Sequence, residues 1–316
     1  MTDLNLSRIS GLEAELECMG VVAVVVTYQP QLDTLGDMLD ALAPQVDAVV
    51  IVDNSADAAV ATWLEDHSGA RQETILLREN LGVAAAQNVG IARARERRAE
   101  YVVLFDQDSV PAPDMVDCML AVVRKKQAEG CQLAAVGPRY LDVMQDSLRP
   151  FVQIRGMRVR RFDCEHPGDV LEVDHLISSG CLIPLAVLDE VGGMSEPLFI
   201  DYVDTEWCLR AWRKGYCLFG VCDAMMQHGL GDKPNYFLGR YVPVHKPLRH
   251  YYLFRNAVWL YQQGWIPLTW KLATGKRLVM KFMYFSVIHP GRLAQITMMF
   301  RGIRDGLMKR MGRYES

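Results

Sequence analysis

Two carboxylates stand at the end of an apolar segment of this chain. Residues 101–105 read YVVLF, and Asp106 and Asp108 follow with Gln107 between them. Carboxylates two residues apart in a turn can both reach one hard cation, and Mg²⁺ and Mn²⁺ prefer oxygen ligands that they share with substrate phosphates. The spacing therefore points to a divalent-metal site, although the tripeptide alone is weak evidence, since aspartates also begin helices and turns.

Polar residues also follow the three apolar segments that come before this one. The first segment ends in Thr27 and Tyr28, the second in Asp53, and the third in Arg78 and Asn80. In an open α/β sheet, ligands bind beyond the carboxyl ends of the strands. We therefore expect these side chains to line one crevice together with the paired aspartates, although each one alone could instead cap a helix.

The elements that must position these residues alternate along the first 140 residues. Strands are predicted at 21–28, 47–55, 73–80, 100–108 and 133–140. Helices are predicted between them, at 31–43, 56–67, 82–99 and 113–129. This alternation predicts an α/β fold, with a mostly parallel sheet that is flanked by helices on both faces.

The pattern changes after residue 140. Residues 140–174 are irregular, and residues 175–184 resemble a pair of strands broken at a glycine. The other elements predicted there are a helix at 185–192, a helix at 203–214 and a strand at 216–224. From about residue 245 the pattern is helical, amphipathic and basic, with breaks at Pro267 and at 289–291.

Charge is distributed unevenly along the 316 residues. Half of the residues are hydrophobic and 23% are charged, which is typical of a globular chain. Residues 240–316 hold 14 Lys and Arg against two acidic residues, a net charge of +12, so the remainder carries −16 of the total −4. An acidic body with a basic C-terminal segment indicates that this segment meets something anionic.

The cysteines and the apolar segments favour a reduced, cytoplasmic setting. The eight cysteines are scattered and form no Cys-x-x-Cys motif, so we expect neither a disulfide nor a zinc site. Residues 1–17 lack the basic and then apolar pattern of a signal peptide. The apolar run 278–288 contains Lys281 and is shorter than the roughly 20 residues of a membrane span.

Eight motifs in order along the chain carry a resemblance. They are VVVTYQP (24–30), IVDNS (51–55), RENLGVAAAQNVGI (78–91), LFDQDS (104–109), LISSGCLI (176–183), LFIDYVDTEWCLRA (198–211), QHGLG (227–231) and HKPLRHYYLFRN (245–256). Together they resemble the inverting nucleotide-sugar glycosyltransferases of family 2, which have the GT-A fold, with bacterial rhamnosyltransferases as the nearest likeness. The resemblance covers roughly residues 20 to 260, and the ordered set is much more specific than any one motif.

The resemblance also implies a domain organisation. Residues 20–244 are expected to form the GT-A catalytic domain, with a nucleotide-binding half at 20–140 and an acceptor-side half at 141–244. A tail at 1–19 precedes this domain, and a basic helical extension at 245–316, which is expected to associate with a membrane, follows it.

On the donor side, the resemblance implies that Thr27 and Asp53 clamp the nucleobase, with Asp53 accepting from the pyrimidine N3–H. Arg249 and Arg255 are six positions apart and could reach the diphosphate or an anionic acceptor lipid, or form a solvated helix face. The full donor-binding set is Thr27, Tyr28, Asp53, Arg78, Asn80, Gly82, Asp106, Gln107, Arg249 and Arg255.

For the chemistry, the resemblance implies a metal held mainly by Asp108, with His228 as a further ligand. Asp106 would then reach the metal, the sugar, the ribose or a metal-bound water. Asp204 matches the family's catalytic base. This division of roles is physically reasonable, because inverting transfer needs one carboxylate to deprotonate the acceptor hydroxyl and a Lewis acid to stabilise the departing diphosphate.

The acceptor side is less certain from the sequence. The residues expected there are Ser179, Gly180, Asp201, Glu206 and Trp207. Asp201 and Glu206 are rivals of the base, but residue 206 lies roughly 200° around the helix from residue 204, so the two cannot serve one hydroxyl.

The expected activity is transfer of L-rhamnose from dTDP-L-rhamnose, with Mg²⁺ or Mn²⁺, to a lipid-linked or cell-envelope glycan or a glycolipid such as lipopolysaccharide. Transfer from another nucleotide sugar such as a UDP-hexose, or a non-catalytic scaffold in an assembly complex, are the alternatives. A dehydrogenase is disfavoured, because VTYQP lacks the Gly-x-Gly-x-x-Gly fingerprint.

The basic C-terminal segment, 276–313, predicts a peripheral position on an anionic membrane surface, at the inner face of the bacterial cytoplasmic membrane. An oligomer interface is the competing interpretation, and a homo-oligomer stays open. Nucleic acid is disfavoured as a partner, because no recognition motif accompanies the charge.

Overall fold

The computed structural model describes residues 20–57, 59–67, 69, 71–155, 158–229, 235–237, 240–242, 246–287 and 291–315. The predicted tail at 1–19 and parts of the motifs at 227–231 and 245–256 lie outside the described residues.

The strands are β1 Val21–Thr27, β2 Ala48–Asp53, β3 Gln72–Leu76, β4 Tyr101–Asp106, β5 Ser109–Pro111, β6 Leu133–Asp142, β7 Ser147–Leu148, β8 Phe151–Arg155, β9 Arg158–Phe162, β10 Val170–Val173, β11 Cys181–Pro184, β12 Cys217–His228, β13 Asn235–Phe237 and β14 Arg240–Val242. The α-helices are α1 Leu32–Leu42, α2 Ala59–His67, α3 Val83–Glu96, α4 Met115–Ala128, α5 Leu185–Val191, α6 Val203–Arg213, α7 Pro247–Gln262, α8 Leu268–Val287 and α9 Arg292–Leu307.

One large sheet organises the fold, in the strand order β10-β12-β6-β11-β4-β1-β2-β3. The pairs that β1 makes with β2 and β4 are parallel, as are β2 with β3 and β6 with β12. The strand β11 runs antiparallel to both of its neighbours, and β10 runs antiparallel to β12. The predicted α/β fold with a mostly parallel sheet is confirmed.

Both faces of the sheet are buried, which explains why its strands show no alternation of polar and apolar residues. Val24 of β1 packs in the core that contains Ala86 and Ile91 of α3. Its neighbour Val25 points the opposite way, into the core that contains Leu35 and other residues of α1. The strand is therefore fixed in register by helices on two sides.

Two predictions for the middle of the chain were wrong. Residues 140–174 are not irregular, because they contain the β8–β9 hairpin and β10. Residues 175–184 form one strand, not two; before β11 there is a single bridge between His175 and Val152 and then a turn. These strands are only four or five residues long, and β8 and β9 include arginines, so their sequences lack the clear apolar segments of the first 140 residues.

The expectation of no disulfide was also wrong. Cys164 and Cys222 are joined, with their Cα atoms 5.8 Å apart. The strand β10 pairs with β12, and this pairing brings the loop before β10 next to Cys222, whose N–H donates to the carbonyl of Asp169. The bridge closes a loop of 58 residues, which corresponds to about 4 kcal/mol of loop-closure entropy in the unfolded chain.

The C-terminal segment is helical, as predicted, and packs onto the domain that contains the large sheet. Phe254 of α7, Phe285 of α8 and Met299 of α9 form one buried cluster. Leu209 of α6 and Leu260 of α7 belong to another, which joins the helices to the domain. Within the described part of the chain, none of the helices has both the length and the hydropathy of a membrane span.

Candidate active site

The parallel strands bring their polar ends to one edge of the sheet. Thr27 lies beside Asp53 in the register of β1 and β2, and Asp106 lies beside Val26 in the register of β1 and β4. The Thr27 hydroxyl donates to Oδ1 of Asp53 at 2.9 Å, and both side chains are buried. The other oxygen, Oδ2 of Asp53, is buried without a partner among the described residues. Because an unpaired buried acceptor is unfavourable, this oxygen is available to a donor group on a ligand.

The loop after β3 is arranged around Asn80. Its Oδ1 accepts from Nδ2 of Asn54 at 3.1 Å and from the N–H of Gly82 at 3.0 Å. Gly82 has a φ of +90°, and a Cβ there would lie 2.6 Å from the carbonyl oxygen of Phe199. A glycine is therefore required here because the Phe199 backbone lies so close. The sequence analysis had placed Gly82 among the donor-binding residues. Arg78 also has a positive φ, of 62°.

Two further residues expected on the donor side are hydrogen-bonded to each other. The N–H of Tyr28 donates to Oε1 of Gln107 at 2.7 Å, which fixes the end of β1 to the turn that follows β4. The Tyr28 ring is 46% exposed and stands beside the crevice, free to contact a ligand.

Asp106, Asp108 and His228 form a cluster suited to a metal ion. Their ligand atoms all lie within 4.8 Å of one another. Nδ1 of His228 lies 3.5 Å from Oδ1 of Asp108 and 2.6 Å from the Ser109 hydroxyl. Two carboxylates and one imidazole suit Mg²⁺ or Mn²⁺, and a hydroxyl that holds one ring nitrogen would orient the other toward a cation.

The residues Ser179 and Gly180 lie beneath this cluster, not on the acceptor side where they were expected. Ser179 is fully buried; its hydroxyl accepts from the N–H of Asp106 at 3.1 Å and donates to the Ser109 hydroxyl at 2.7 Å. Gly180, with a φ of +76°, donates its N–H to the carbonyl of Leu104 in β4. The turn before β11 thus supports the metal-binding end of β4.

The pKa values of the two aspartates in this cluster are raised above the usual range. The pKa of Asp106 is raised to about 6, first by burial and then by the nearby charges of Asp108 and Asp204, while His228 opposes the rise. Burial also raises the pKa of Asp108, again against His228. Carboxyls held together in this way favour a bound cation, which would lower both pKa values.

Asp204 lies at the start of α6 and faces His175. Its Oδ2 is 3.4 Å from Nε2 of His175, and its Oδ1 accepts from the N–H of Thr205 at 2.6 Å. Burial alone would raise the pKa of Asp204, but the charge and hydrogen bond of His175 outweigh burial and lower it. The same pairing raises the pKa of His175 against the effect of burial. The sequence analysis missed His175, because a lone histidine before an apolar segment carries no spacing signal.

The two other candidates on α6 do not face the crevice. Glu206 is buried and accepts from Arg210 at 2.8 Å. Trp207 is also buried and donates its Nε1–H to the carbonyl of Gly192 at 2.9 Å. Asp201, the other rival of the base, pairs with Arg249 at 3.2 Å. Arg249 also lowers the pKa values of Asp106 and Asp108 through its charge, so it lies near this pair of carboxylates.

Arg255 is fully buried, and the structure places it away from the crevice. It donates to the carbonyls of Leu198 and Gly312. Its neighbour Asn256 donates to three carbonyls, of Leu198, Ile200 and Asp201, at 2.9, 2.8 and 2.9 Å.

These bonds hold a strained turn that leads directly into α6. Phe199, Asp201 and Tyr202 have φ values of 64°, 65° and 65°. Non-glycine residues adopt this conformation only when the surrounding structure enforces it. The helix α7 supplies that constraint, and it thereby sets the position of Asp204.

Comparison with known proteins identifies the family. The sequence profile "Glycosyl transferase family 2" matches residues 22–167. The chain is 33% identical over 270 residues to the dTDP-rhamnosyl transferase RfbF of Shigella flexneri, across 85% of this chain and 86% of that protein. The chain belongs to glycosyl transferase family 2. It is a glycosyltransferase, and the predicted family is confirmed.

Two other similarities are informative. The galactofuranosyltransferase GlfT1 of Mycolicibacterium smegmatis is 28% identical over 260 residues, which cover 77% of this chain and 83% of that one. The structure of GalNAc-T7 with UDP, GalNAc and Mn²⁺ superimposes with a TM-score of 0.59 at 11% identity, across 93% of this chain and 56% of that chain. The GT-A fold of this glycosyltransferase is thereby confirmed.

Proposed function

We propose that this glycosyltransferase moves L-rhamnose from dTDP-L-rhamnose to a hydroxyl of a lipid-linked or cell-envelope glycan, or of a glycolipid, with inversion at the anomeric carbon. The observation that carries the reaction type is the placement of Asp106, Asp108 and His228 in one cluster, with Asp204 close enough to raise the pKa of Asp106. The similarity to RfbF over most of both chains supports the sugar.

Donor binding follows from the edge of the sheet. The unpaired Oδ2 of Asp53 is an acceptor for the N3–H of a pyrimidine base, and Thr27 holds the other oxygen so that the carboxylate keeps its orientation. Asp106, Asp108 and His228 would hold Mg²⁺ or Mn²⁺, which supplies positive charge for the departing diphosphate. The thymine and uracil bases share the N3–H group, so this contact accepts dTDP-sugars and UDP-sugars alike.

Proton transfer falls to Asp204. One of its oxygens accepts the proton of the acceptor hydroxyl while the hydroxyl oxygen bonds to the anomeric carbon; the sugar–phosphate bond breaks on the opposite face, and its electron pair leaves with the diphosphate. His175 favours the ionised form of Asp204, so the base is ready at neutral pH. No general acid is needed, because a diphosphate is already a good leaving group.

A donor panel tests the proposed sugar. The full chain with Mn²⁺ is incubated with dTDP-L-rhamnose, UDP-galactofuranose and UDP-glucose, and the release of nucleoside diphosphate is measured. We expect turnover of dTDP-L-rhamnose at least about tenfold faster than that of either UDP-sugar. Faster turnover of UDP-galactofuranose, the donor suggested by the similarity to GlfT1, would replace the rhamnosyl assignment. Absence of turnover with every donor would favour a scaffold.

We also propose that the C-terminal helices lie on an anionic membrane surface. Large apolar side chains are exposed on α8 and α9, namely Leu268, Leu272, Val279, Met280, Met283, Val287, Leu293, Phe300 and Leu307. Basic residues accompany them, and such a surface fits lipid headgroups and acyl chains.

Vesicle flotation tests this surface. The double variant Val279→Glu with Met283→Glu is expected to lose flotation with vesicles containing one-third phosphatidylglycerol, while the control Val143→Glu, at an exposed site on the body, keeps it. Equal flotation of both variants would reject the surface. If the double variant instead had a lower molar mass than the unchanged protein in light scattering, the surface would be an oligomer interface.

A further inference from the structure

A cavity of about 460 Å³ adjoins the residues that surround the proposed base. His175 and Thr205 line one end of it, and each contacts Asp204. Aromatic rings of Phe151, Tyr202 and Trp270 line its walls. The cavity is therefore large enough for a sugar ring and opens beside the group that would deprotonate the acceptor.

Two cationic side chains line the same cavity. Arg277 and Lys281 are one helical turn apart on α8, and both contribute to the lining. Burial lowers the pKa of Lys281, partly offset by Asp201, and burial together with the charge of Arg161 lowers the pKa of Arg277. Among the described residues, neither cation takes part in an ion pair within 4 Å. Lys281 is half-buried, whereas Arg277 is exposed. A partly buried cation such as Lys281 without a direct counter-charge is unfavourable, which favours an anionic ligand.

The helix α8 separates this cavity from the exposed apolar surface. Trp270, Thr274 and Lys281 line the cavity, whereas Leu272 and Met283 are exposed. At 100° per residue, the lining positions cluster about 180° from the exposed ones. One helix thus presents cations inward and apolar side chains outward.

We propose that this cavity is the acceptor site and that Arg277 and Lys281 bind a negatively charged group on the acceptor glycan, a phosphate or a carboxylate. The proposal rests on the proposed function, since it assigns the second substrate of the same reaction. The aromatic walls hold the sugar that receives the new bond, with its hydroxyl directed to Asp204. The anionic group lies at α8, where charge-assisted hydrogen bonds are strong because the site is partly dehydrated.

Calorimetric titration of the full chain tests the assignment without any donor nucleotide. Three probes are used below their micelle concentrations: decyl glucoside, which is neutral, decyl glucuronide, which carries a carboxylate, and glucose joined to a decyl chain through a phosphate diester. We expect at least one anionic probe to bind roughly tenfold or more tightly than decyl glucoside. Tighter binding of the phosphodiester would identify a phosphate-linked acceptor. Tighter binding of the glucuronide would identify an acceptor that contains an acidic sugar. Equal binding of all three probes would overturn the proposal.

Substitutions at Lys281 test whether the preference for anionic probes arises in the cavity. Lys281→Met is expected to lose most of the roughly tenfold preference, and Lys281→Arg to keep it, since the charge remains. Lys276→Met is the matched control, because Lys276 lies on the same helix with an exposed side chain and does not line the cavity. If Lys276→Met and Lys281→Met lost equal affinity, the charge of the whole helix would explain binding and the site would be rejected. Since no donor is present, failure of the donor panel leaves this result intact.

Discussion

The donor side and the acceptor side of this active site are built in different ways. On the donor side, Thr27, Asp53 and Asp106 occupy the ends of three adjacent parallel strands, so the register of the sheet alone brings them together. On the acceptor side, His175 lies at a single bridge to Val152 and Asp204 lies at the start of a helix, so the register of the large sheet does not align them. The donor side is placed by local regularity, and the acceptor side by long-range contacts.

This difference shows which contacts each side of the site depends on. The donor side depends on buried strands with helices on both faces, and its polar residues were visible in the sequence. The acceptor side depends on a strained turn at 199–202, which α7 holds through Arg255 and Asn256. The proposed base, Asp204, is therefore positioned by a segment that the sequence suggested was an appendage.

The largest effect that separates the two sides is expected for Asp204→Asn. Loss of the base should lower kcat about 10³-fold, while the affinity for dTDP stays unchanged, because the nucleotide contacts lie on the donor side. Steady-state kinetics and calorimetry measure the two quantities. Asp189→Asn, at an exposed ion pair with Arg95, is the control and should be near wild type. Retained transfer by Asp204→Asn would refute the base, and an equal loss of dTDP affinity would show that the two sides are not separable.

The reciprocal change is Asp108→Asn, on the donor side. Because even outer-sphere partners of a metal contribute about 10- to 100-fold, loss of a direct ligand should weaken Mn²⁺ binding by about 100-fold or more. Fluorescence or calorimetric titration of Mn²⁺ measures it, with Asp146→Asn, at an exposed loop position, as the control.

The same titration has a predicted pH dependence. The pKa of Asp106 is raised to about 6, so protons compete with the metal below that pH, and Mn²⁺ affinity should fall as the pH drops from 7.5 to 5. Affinity that is independent of pH across this window would contradict a site built from these carboxylates.

An intermediate effect is expected for Asn256→Ala, which tests whether α7 positions the base. Three hydrogen bonds to the 198–201 backbone are lost, so the free energy of unfolding should fall by about 2–4 kcal/mol. The kcat should fall by about 10- to 100-fold, because a small displacement of a catalytic group is costly. Mn²⁺ affinity should not change. Gln262→Ala on the same helix, which breaks bonds to Val258 and Gly306 only, is the control. A normal kcat in Asn256→Ala would show that the turn holds its shape without α7.

The smallest change in kcat is expected for His175→Gln. This substitution should change the pH dependence of kcat more than kcat itself. His175 lowers the pKa of Asp204, so its removal should raise that pKa. The acidic limb of the plot of kcat against pH should then move to higher pH, with kcat at pH 8 nearly unchanged. An unmoved limb would mean that the limb does not report Asp204.

Much of the donor half could be predicted from the sequence, because its buried strands and intervening helices have clear periodicity. Asp53, Asp106 and Asp108 followed from their places after such strands. The acceptor half could not be predicted in the same way. The strands β8, β9 and β10 are short and polar, and the Cys164–Cys222 pairing depends on how β10 lies on β12. Arg255 was expected to bind the donor or an anionic lipid, or to lie on a solvated helix face, since helical spacing does not distinguish these roles from an arginine that binds buried carbonyls.

The bond between Arg255 and the carbonyl of Gly312 has a consequence for biosynthesis. Residue 312 emerges from the ribosome 57 residues after residue 255, and it also donates its N–H to the carbonyl of Pro197 in the turn before the base. A nascent chain can form its nucleotide-binding sheet early, since domains fold progressively from the N-terminus during synthesis. The turn that carries the base receives these contacts only when residue 312 has emerged. Translation itself therefore delays the completed acceptor side until the C-terminal helices have been made.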